Sequence, residues 1–184
     1  IEEPRYEVSI SHAPFELRHY APTLIAQTIV EGDMDAASNK GFRLIADFIF
    51  GNNLAVGSEQ AAKIAMTAPV TVEPQSSKIA MTAPVIQQAK GTSWNVRFVM
   101  PSKYTIETLP KPVNPKVALI EVTATRFAVI RFSGFAGQGS LDKQETLLRA
   151  FMAERSLVAA NPPQYAYYNA PWTLPFMRRN EIMI

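Results

Sequence analysis

Apolar and polar positions alternate strictly from Phe15 to Tyr20, which predicts a strand with Phe15, Leu17 and His19 on one face and Glu16, Arg18 and Tyr20 on the other. A second strand is expected from Thr23 to Val30, ended by Glu31-Gly32-Asp33. The period then changes. From Met34 to Phe50, Phe42, Ile45 and Ile49 fall on one helical stripe flanked by Leu44 and Phe48, with Asp33 as N-cap and Gly51-Asn52-Asn53 as stop. Alternation returns from Lys63 to Glu73, where Ile64, Met66, Ala68, Val70 and Val72 share a face. The octapeptide KIAMTAPV at 63–70 recurs unchanged at 78–85 after Pro74-Gln75-Ser76-Ser77, so a hairpin is expected. Pro69 and Pro84 cannot donate to a ladder and should mark edges or bulges.

Trp94 to Met100 reads as a further strand, and Pro101, Pro110, Pro112 and Pro115 mark a linker. Val117–Val122 and Phe127–Phe132 read as a strand pair. Ser140 is the expected N-cap of a helix carrying Leu141, Leu148, Phe151 and Met152. Tyr165–Asn169 and Arg179–Ile184 are the last expected strands. This doubled strand-helix-strand-strand order predicts one α+β domain over 1–184, built from halves at about 5–100 and 117–184, each packing one helix on a mostly antiparallel sheet.

Composition narrows the chemistry. With 47% hydrophobic and 18% charged residues, the 184-residue chain can bury a core. A net charge of +2 with no basic stripe gives no footprint for nucleic acid. No apolar run approaches the ~20 residues of a membrane-spanning helix. Cysteine is absent, which excludes disulfides, thiolate ligands and covalent c-type haem attachment. Two histidines, His12 and His19, are too few for a multi-histidine metal site. The chain starts at Ile1 rather than methionine, as expected from trimming or from removal of a leader, and its compartment stays open: cytoplasmic, or exported.

Four features carry candidate chemistry. His19 could ligate haem iron or be a satisfied structural histidine. Met66 and Met81 hold equivalent places in the octapeptide, and read as thioether ligands or core filler. From Pro171 to Arg179, Trp172, Leu174, Phe176 and Met177 crowd an aperiodic stretch ending in Arg178-Arg179. An apolar loop ending in two guanidinium groups suits a flat apolar ligand with carboxylate tails, or simply covers a sheet edge. Glu181, beside Arg179 and the tyrosines at 165, 167 and 168, could serve acid-base work or form a structural ion pair. No Ser-His-Asp order or phosphate-binding glycine loop is found, and no enzyme is expected.

Together, FELRHYAP at 15–22, the two KIAMTAPV segments and NAPWTLPFMRRNEI at 169–182 resemble the SOUL haem-binding protein family, over about Tyr6 to Ile184. The doubled octapeptide is similar to its bacterial branch. The resemblance implies a distorted, mostly antiparallel β-barrel of eight or nine strands, made of two pseudo-symmetric β-α-β-β halves with two flanking helices. It also implies non-covalent binding of haem or another tetrapyrrole by a carrier, buffer or sensor. In some members the histidine of the Arg-His-Tyr motif is the proposed iron ligand, which corresponds to His19. In others an apolar groove beside the first helix holds haem, which by analogy involves Lys40, Phe42, Arg43 and Leu44 with Trp172, Phe176, Met177, Arg178 and Arg179. The fold is also similar to effector-binding domains of bacterial regulators and to related hydrolases, whose cleft carries a glutamate and aromatic walls. Glu181, Tyr168 and Trp172 would serve that alternative, and a module for an unknown protein partner is a third reading.

Overall fold

The computed structural model describes residues 1–75, 93–170 and 172–184. Its first helix, α1 (Met34–Phe50), forms where the period predicts it because the Asp33 carboxylate accepts the Ala36 N–H at 2.9 Å. It stops at Gly51, whose φ of +141° suits glycine and whose N–H donates to Asp47 O. The second helix, α2 (Gln138–Glu154), buries Leu141, Leu148, Phe151 and Met152 as the spacing predicts.

Among the described residues, nine strands make one antiparallel sheet: β1 (Tyr6–His12), β2 (Phe15–Tyr20), β3 (Thr23–Glu31), β5 (Val70–Pro74), β6 (Ser93–Val99), β8 (Ala118–Val122), β9 (Thr125–Phe132), β10 (Gln164–Tyr167) and β11 (Asn180–Met183). A separate pair joins β4 (Asn53–Leu54) to β7 (Lys111–Pro112). The sheet order is β1-β2-β9-β11-β10-β5-β6-β3-β8. Within it, β3-α1-β5-β6 and β9-α2-β10-β11 are two β-α-β-β units that meet at β10 and β5 in mirrored strand order. The strand preceding each unit crosses to the other: β2 pairs with β9, and β8 with β3.

That exchange forces the sheet to curl. β8 and β9 stand six places apart in the sheet, roughly 29 Å if it were flat, yet two residues join them. Such a link spans about 10 Å. The same holds for β2 and β3. The result is an α+β half-barrel with β1 and β8 as its edges. Both helices lie on one face, over a core that includes Ala26, Ile45, Phe48, Val96, Phe98, Ile130, Leu148 and Ile182. The opposite, concave face carries a smaller apolar cluster of Tyr20, Val129, Ala166 and Met183.

Several expectations need correction. β1 carried no recognised strand pattern, since an edge strand exposed along most of its length keeps little apolar periodicity. On β2 the buried polar face is Arg18 with Tyr20, whereas His19 is exposed. Phe15 stacks on Phe151 of α2 at 4.7 Å and Leu17 is buried in the core, but His19 on the same strand face stays exposed. β8 and β9 do not pair with each other, because β8 pairs with β3 of the first unit while β9 lies between β2 and β11. The strand expected over 63–73 is shortened to Val70–Pro74: Ile64 N–H donates to Ile49 O at the end of α1, and the Thr67 hydroxyl bonds Val99 O. The second octapeptide, with Met81 and Pro84, lies outside the described residues, and β5 pairs with β6 and β10. The proline-rich connection is no free linker, since Leu109 is fully buried and Lys111–Pro112 pairs with β4. α2 begins ahead of Ser140, with Gly137 as a cap that lacks a side-chain bond.

α1 approaches the sheet tightly at Gly41, where an added Cβ would lie 2.5 Å from Val96 Cγ2. Gly41→Ala should therefore destabilise by about 1–3 kcal/mol through overpacking, even though alanine favours helix by about 1 kcal/mol. Denaturant unfolding should show a lowered midpoint. An unchanged midpoint would mean the helix can rise from the sheet at no cost.

Candidate functional site

Strand parity puts Arg18 and Glu181 on the concave face, where β2 and β11 flank β9. Arg18 is 2% and Glu181 1% exposed. The Arg18 guanidinium donates to both Glu181 oxygens at 2.8 and 3.0 Å, to Tyr20 Oη at 2.9 Å and to Glu16 at 2.6 Å. It also lies 4.4 Å from the centre of the Tyr6 ring. Tyr168 Oη donates to Glu181 at 2.7 Å, and Arg179 Nε at 3.0 Å. Arg179 continues to Glu3 at 3.0 Å and stacks 3.7 Å over Tyr168.

Burial is the largest influence on the Glu181 carboxyl and pushes it up. The hydrogen bonds and charge of Arg18, with Tyr168 and Arg179, outweigh burial and hold it below the ordinary 4.5. Burial and then the Glu181 charge raise the Tyr168 phenol well above its usual 10. Burial likewise pushes Tyr20 up to about 12 against the opposing charge of Arg18. Glu181 is thus an ionised, fully engaged acceptor; Tyr168 donates to it, Tyr20 Oη accepts from Arg18, and both phenols keep their protons. Nothing in this arrangement holds a proton ready to transfer at neutral pH.

A second polar set lies across the same face. Arg97 bonds Glu73 and Gln27, each at 2.6 Å, and Asn95 bonds Glu73 at 3.0 Å. Between the two sets is a cavity of about 80 Å³ bounded by Pro4, Tyr20, Thr71, Arg97, Phe127 and Met183. That is well below the ~300–1,000 Å³ usual for small-molecule sites. The segment carrying Glu3 and Pro4 runs past its mouth, tied by Ala68 N–H to Glu2 O at 2.9 Å and by Glu3 to Arg179.

A larger groove of about 450 Å³ opens on the helix side, between α1 and the late loop. Asp35 and Phe42 of α1, Val70, Ala136, Tyr167 and Arg178 line it. Phe42 rests on Phe98 with ring centres 5.5 Å apart. Burial and then the Asp35 charge push Tyr167 up to about 12, so its hydroxyl stays neutral. Arg178 Nε donates to Thr173 O at 2.8 Å, and the guanidinium lies 5.5 Å from the Phe135 ring.

The expected site residues therefore separate. Phe42 and Arg178 meet in the groove. Lys40 and Arg43 are exposed elsewhere on α1, and Leu44 packs half-buried against the core. Trp172, Phe176 and Met177 stand 84%, 73% and 63% exposed on the loop beside the groove. Arg179 belongs to the concave-face network. His19 is exposed on β2, with Nε2 3.1 Å from Ser9 Oγ, and lines a broad depression of about 720 Å³ with Arg5, Tyr6 and Glu7. The buried role of Arg18 went unrecognised, although its parity with Tyr20 was a usable signal. Asp35, Ala136 and Tyr167 left none, because their segments converge only in the fold.

A family model described as SOUL heme-binding protein matches residues 1–77 and 72–184. Comparison with curated proteins finds no match. Among solved structures, the EcmrR C-terminal domain is similar with a TM-score of 0.62 at 11% identity, covering 97% of this chain and 96% of that one. EcmrR in a complex with DNA gives 0.63 at 10% identity over 92% of this chain, which spans 56% of that protein. A structure described as a hydrolase from Listeria innocua gives 0.57 at 12% identity, covering 92% and 89%. At these identities the likeness shows the fold alone.

The concave network generates a test. Because the Glu181 pKa is lowered in the folded protein, its contribution is complete above the ordinary 4.5 and is lost as pH falls through the lowered value. Glu181→Gln leaves Arg18 buried without its counter-charge and should cost about 3–5 kcal/mol at neutral pH. Its melting temperature should also fall less steeply than the parent's on acidification. Parallel acid limbs would place the acid-sensitive group elsewhere.

Proposed function

The chain belongs to the SOUL heme-binding protein family, and on that premise we propose that it binds haem or a related tetrapyrrole non-covalently in the groove between α1 and the late loop. The supporting observation is the groove itself. Its 450 Å³ falls within the ~300–1,000 Å³ usual for small-molecule sites. It also combines an aromatic wall at Phe42 with a cation at Arg178, and exposed Trp172 and Phe176 stand on the adjoining loop. A porphyrin face would lie against Phe42 and Val70, and a propionate would take a charge-assisted bond from Arg178. Because the groove is open, burial is partial and the exchange suits a carrier, buffer or sensor rather than a permanent prosthetic group.

The alternative, an effector or hydrolytic cleft around Glu181, has less support. Arg18 already fills the space before that carboxylate with a two-pronged ion pair, and the remaining 80 Å³ is too small for a drug-sized ligand. One observation does favour a second haem placement. The His19 imidazole is exposed beside a wide depression with Tyr6 and Arg5, where an iron could take it as axial ligand.

A haemin titration with variants decides between the two. Groove binding predicts one-to-one saturation, weakened about tenfold by Phe42→Ala or Arg178→Ala, the effect of losing roughly 1.4 kcal/mol of contact. His19→Ala should leave the Soret position and affinity unchanged. A shifted Soret band in His19→Ala with intact groove variants would move the site to β2, and a non-saturating titration would remove the haem reading.

A further inference from the structure

We propose that the protrusion formed by Phe135 and the Trp172–Met177 loop is a lipid-docking surface that seats in the interfacial layer of a bilayer. Five large apolar side chains stand out from this one place: Trp172 at 84% exposure, Phe176 at 73%, Phe135 at 69%, Met177 at 63% and Leu174 at 55%. Scattered single apolar residues are ordinary on a protein surface, but a contiguous group of this size marks a partner.

The protrusion is braced rather than loose. Gly134 N–H donates to Pro175 O at 2.9 Å, and Asn180 Nδ2 donates to Gly134 O at 3.0 Å, so the two loops are tied to each other and to β11. Pro175–Met177 forms a single 3-10 turn closed by the Met177 N–H to Leu174 O bond at 2.9 Å. The apolar side chains are therefore presented outward by hydrogen-bonded backbone.

Charge selects the occupant. Residues 133–141 carry no charged side chain, and no acidic residue occurs from 155 to 180. The tip can enter the headgroup region without dehydrating a carboxylate. Arg178 sits at its base, with its Nε bonded to Thr173 O at 2.8 Å and its guanidinium carbon 5.5 Å from the centre of the Phe135 ring, which puts a positive charge behind the apolar tip. Tryptophan and phenylalanine at the tip with arginine behind is the chemistry of interfacial anchoring. No described helix is long and apolar enough to cross a membrane. The inference goes beyond the tetrapyrrole reading, and it is tested without haem.

The ligand-free protein is mixed with vesicles of phosphatidylcholine, alone or with phosphatidylglycerol, and followed by flotation and tryptophan emission. It should float with both, more strongly with the anionic vesicles, and brominated acyl chains should quench its emission in a manner lost in Trp172→Phe. Trp172→Ser and Phe176→Ser should each weaken partitioning about tenfold, the loss of one buried aromatic side chain, with unchanged circular dichroism because both side chains are exposed. No flotation with either vesicle overturns the proposal. So does flotation that survives the double serine variant, or self-association in sedimentation that the serine variants abolish, which would make the patch a contact between copies. A haemin titration without vesicles reports separately on the groove.

Discussion

The concave face depends on one ion pair. Arg18 and Glu181 lie 163 residues apart in sequence, on strands separated only by β9, and both are withdrawn from water. Desolvating two charges is costly, and attraction repays it only where every donor and acceptor is matched. Here the match is close: two guanidinium nitrogens meet two carboxylate oxygens, and Glu16, Tyr20, Tyr168 and Arg179 take the remaining directions. Such a pair adds little stability over an apolar substitute, but it is intolerant of misregister. A one-residue slip of β2 or β11 would turn its charge toward the helix-side core.

That intolerance matters because the topology invites error. Each leading strand pairs with the other unit, so two similar β-α-β-β pieces must exchange strands and not merely dock. The apolar contacts on the helix side are broadly alike in the two units, with Ala26, Val72, Val96 and Phe98 on one and Ala128, Ile130, Tyr165 and Ile182 on the other. Hydrophobic burial alone discriminates weakly between such alternatives. The Arg18–Glu181 pair and the Arg97–Glu73 pair are not interchangeable, and they give the concave face a polarity that the core lacks.

The sequence showed most of the elements and less of their partners. Helix α1 was legible because its apolar stripe, Asp33 cap and Gly51 stop agree. β2 was legible as a strand but not in its orientation, since alternation alone cannot say which of two mixed faces is buried. Phe15 and Leu17 suggest that His19 goes inward with them, but Phe15 stacks on α2 and Leu17 joins the core while His19 is exposed. The pairing of β8 and β9 was misread for a related reason: a short link between strands usually makes a hairpin, and only the exchanged topology separates them. The groove was partly legible, through Phe42 and Arg178, because the resemblance supplied what spacing could not. Its other walls come from Asp35, Val70, Ala136 and Tyr167, four segments that no local pattern brings together.

The division of labour between the two faces follows from how each is built. The concave face is made of strand side chains in fixed register, where Arg18 and Arg179 pair with Glu181 and Arg97 pairs with Glu73. The groove is made at the ends of elements: the first half of α1, the loop after β9 and the loop before β11. Loop side chains there are not needed to hold the sheet, as the high exposure of Trp172 and Phe176 shows. Arg178 and Arg179 express the same division in adjacent residues. Arg179 turns toward Glu181 and Glu3 and secures the scaffold, whereas Arg178 bonds Thr173 O, lies over Phe135 and enters the groove wall. Along an extended chain successive side chains point to opposite sides, so a doubled arginine at the junction of loop and strand can serve both faces at once.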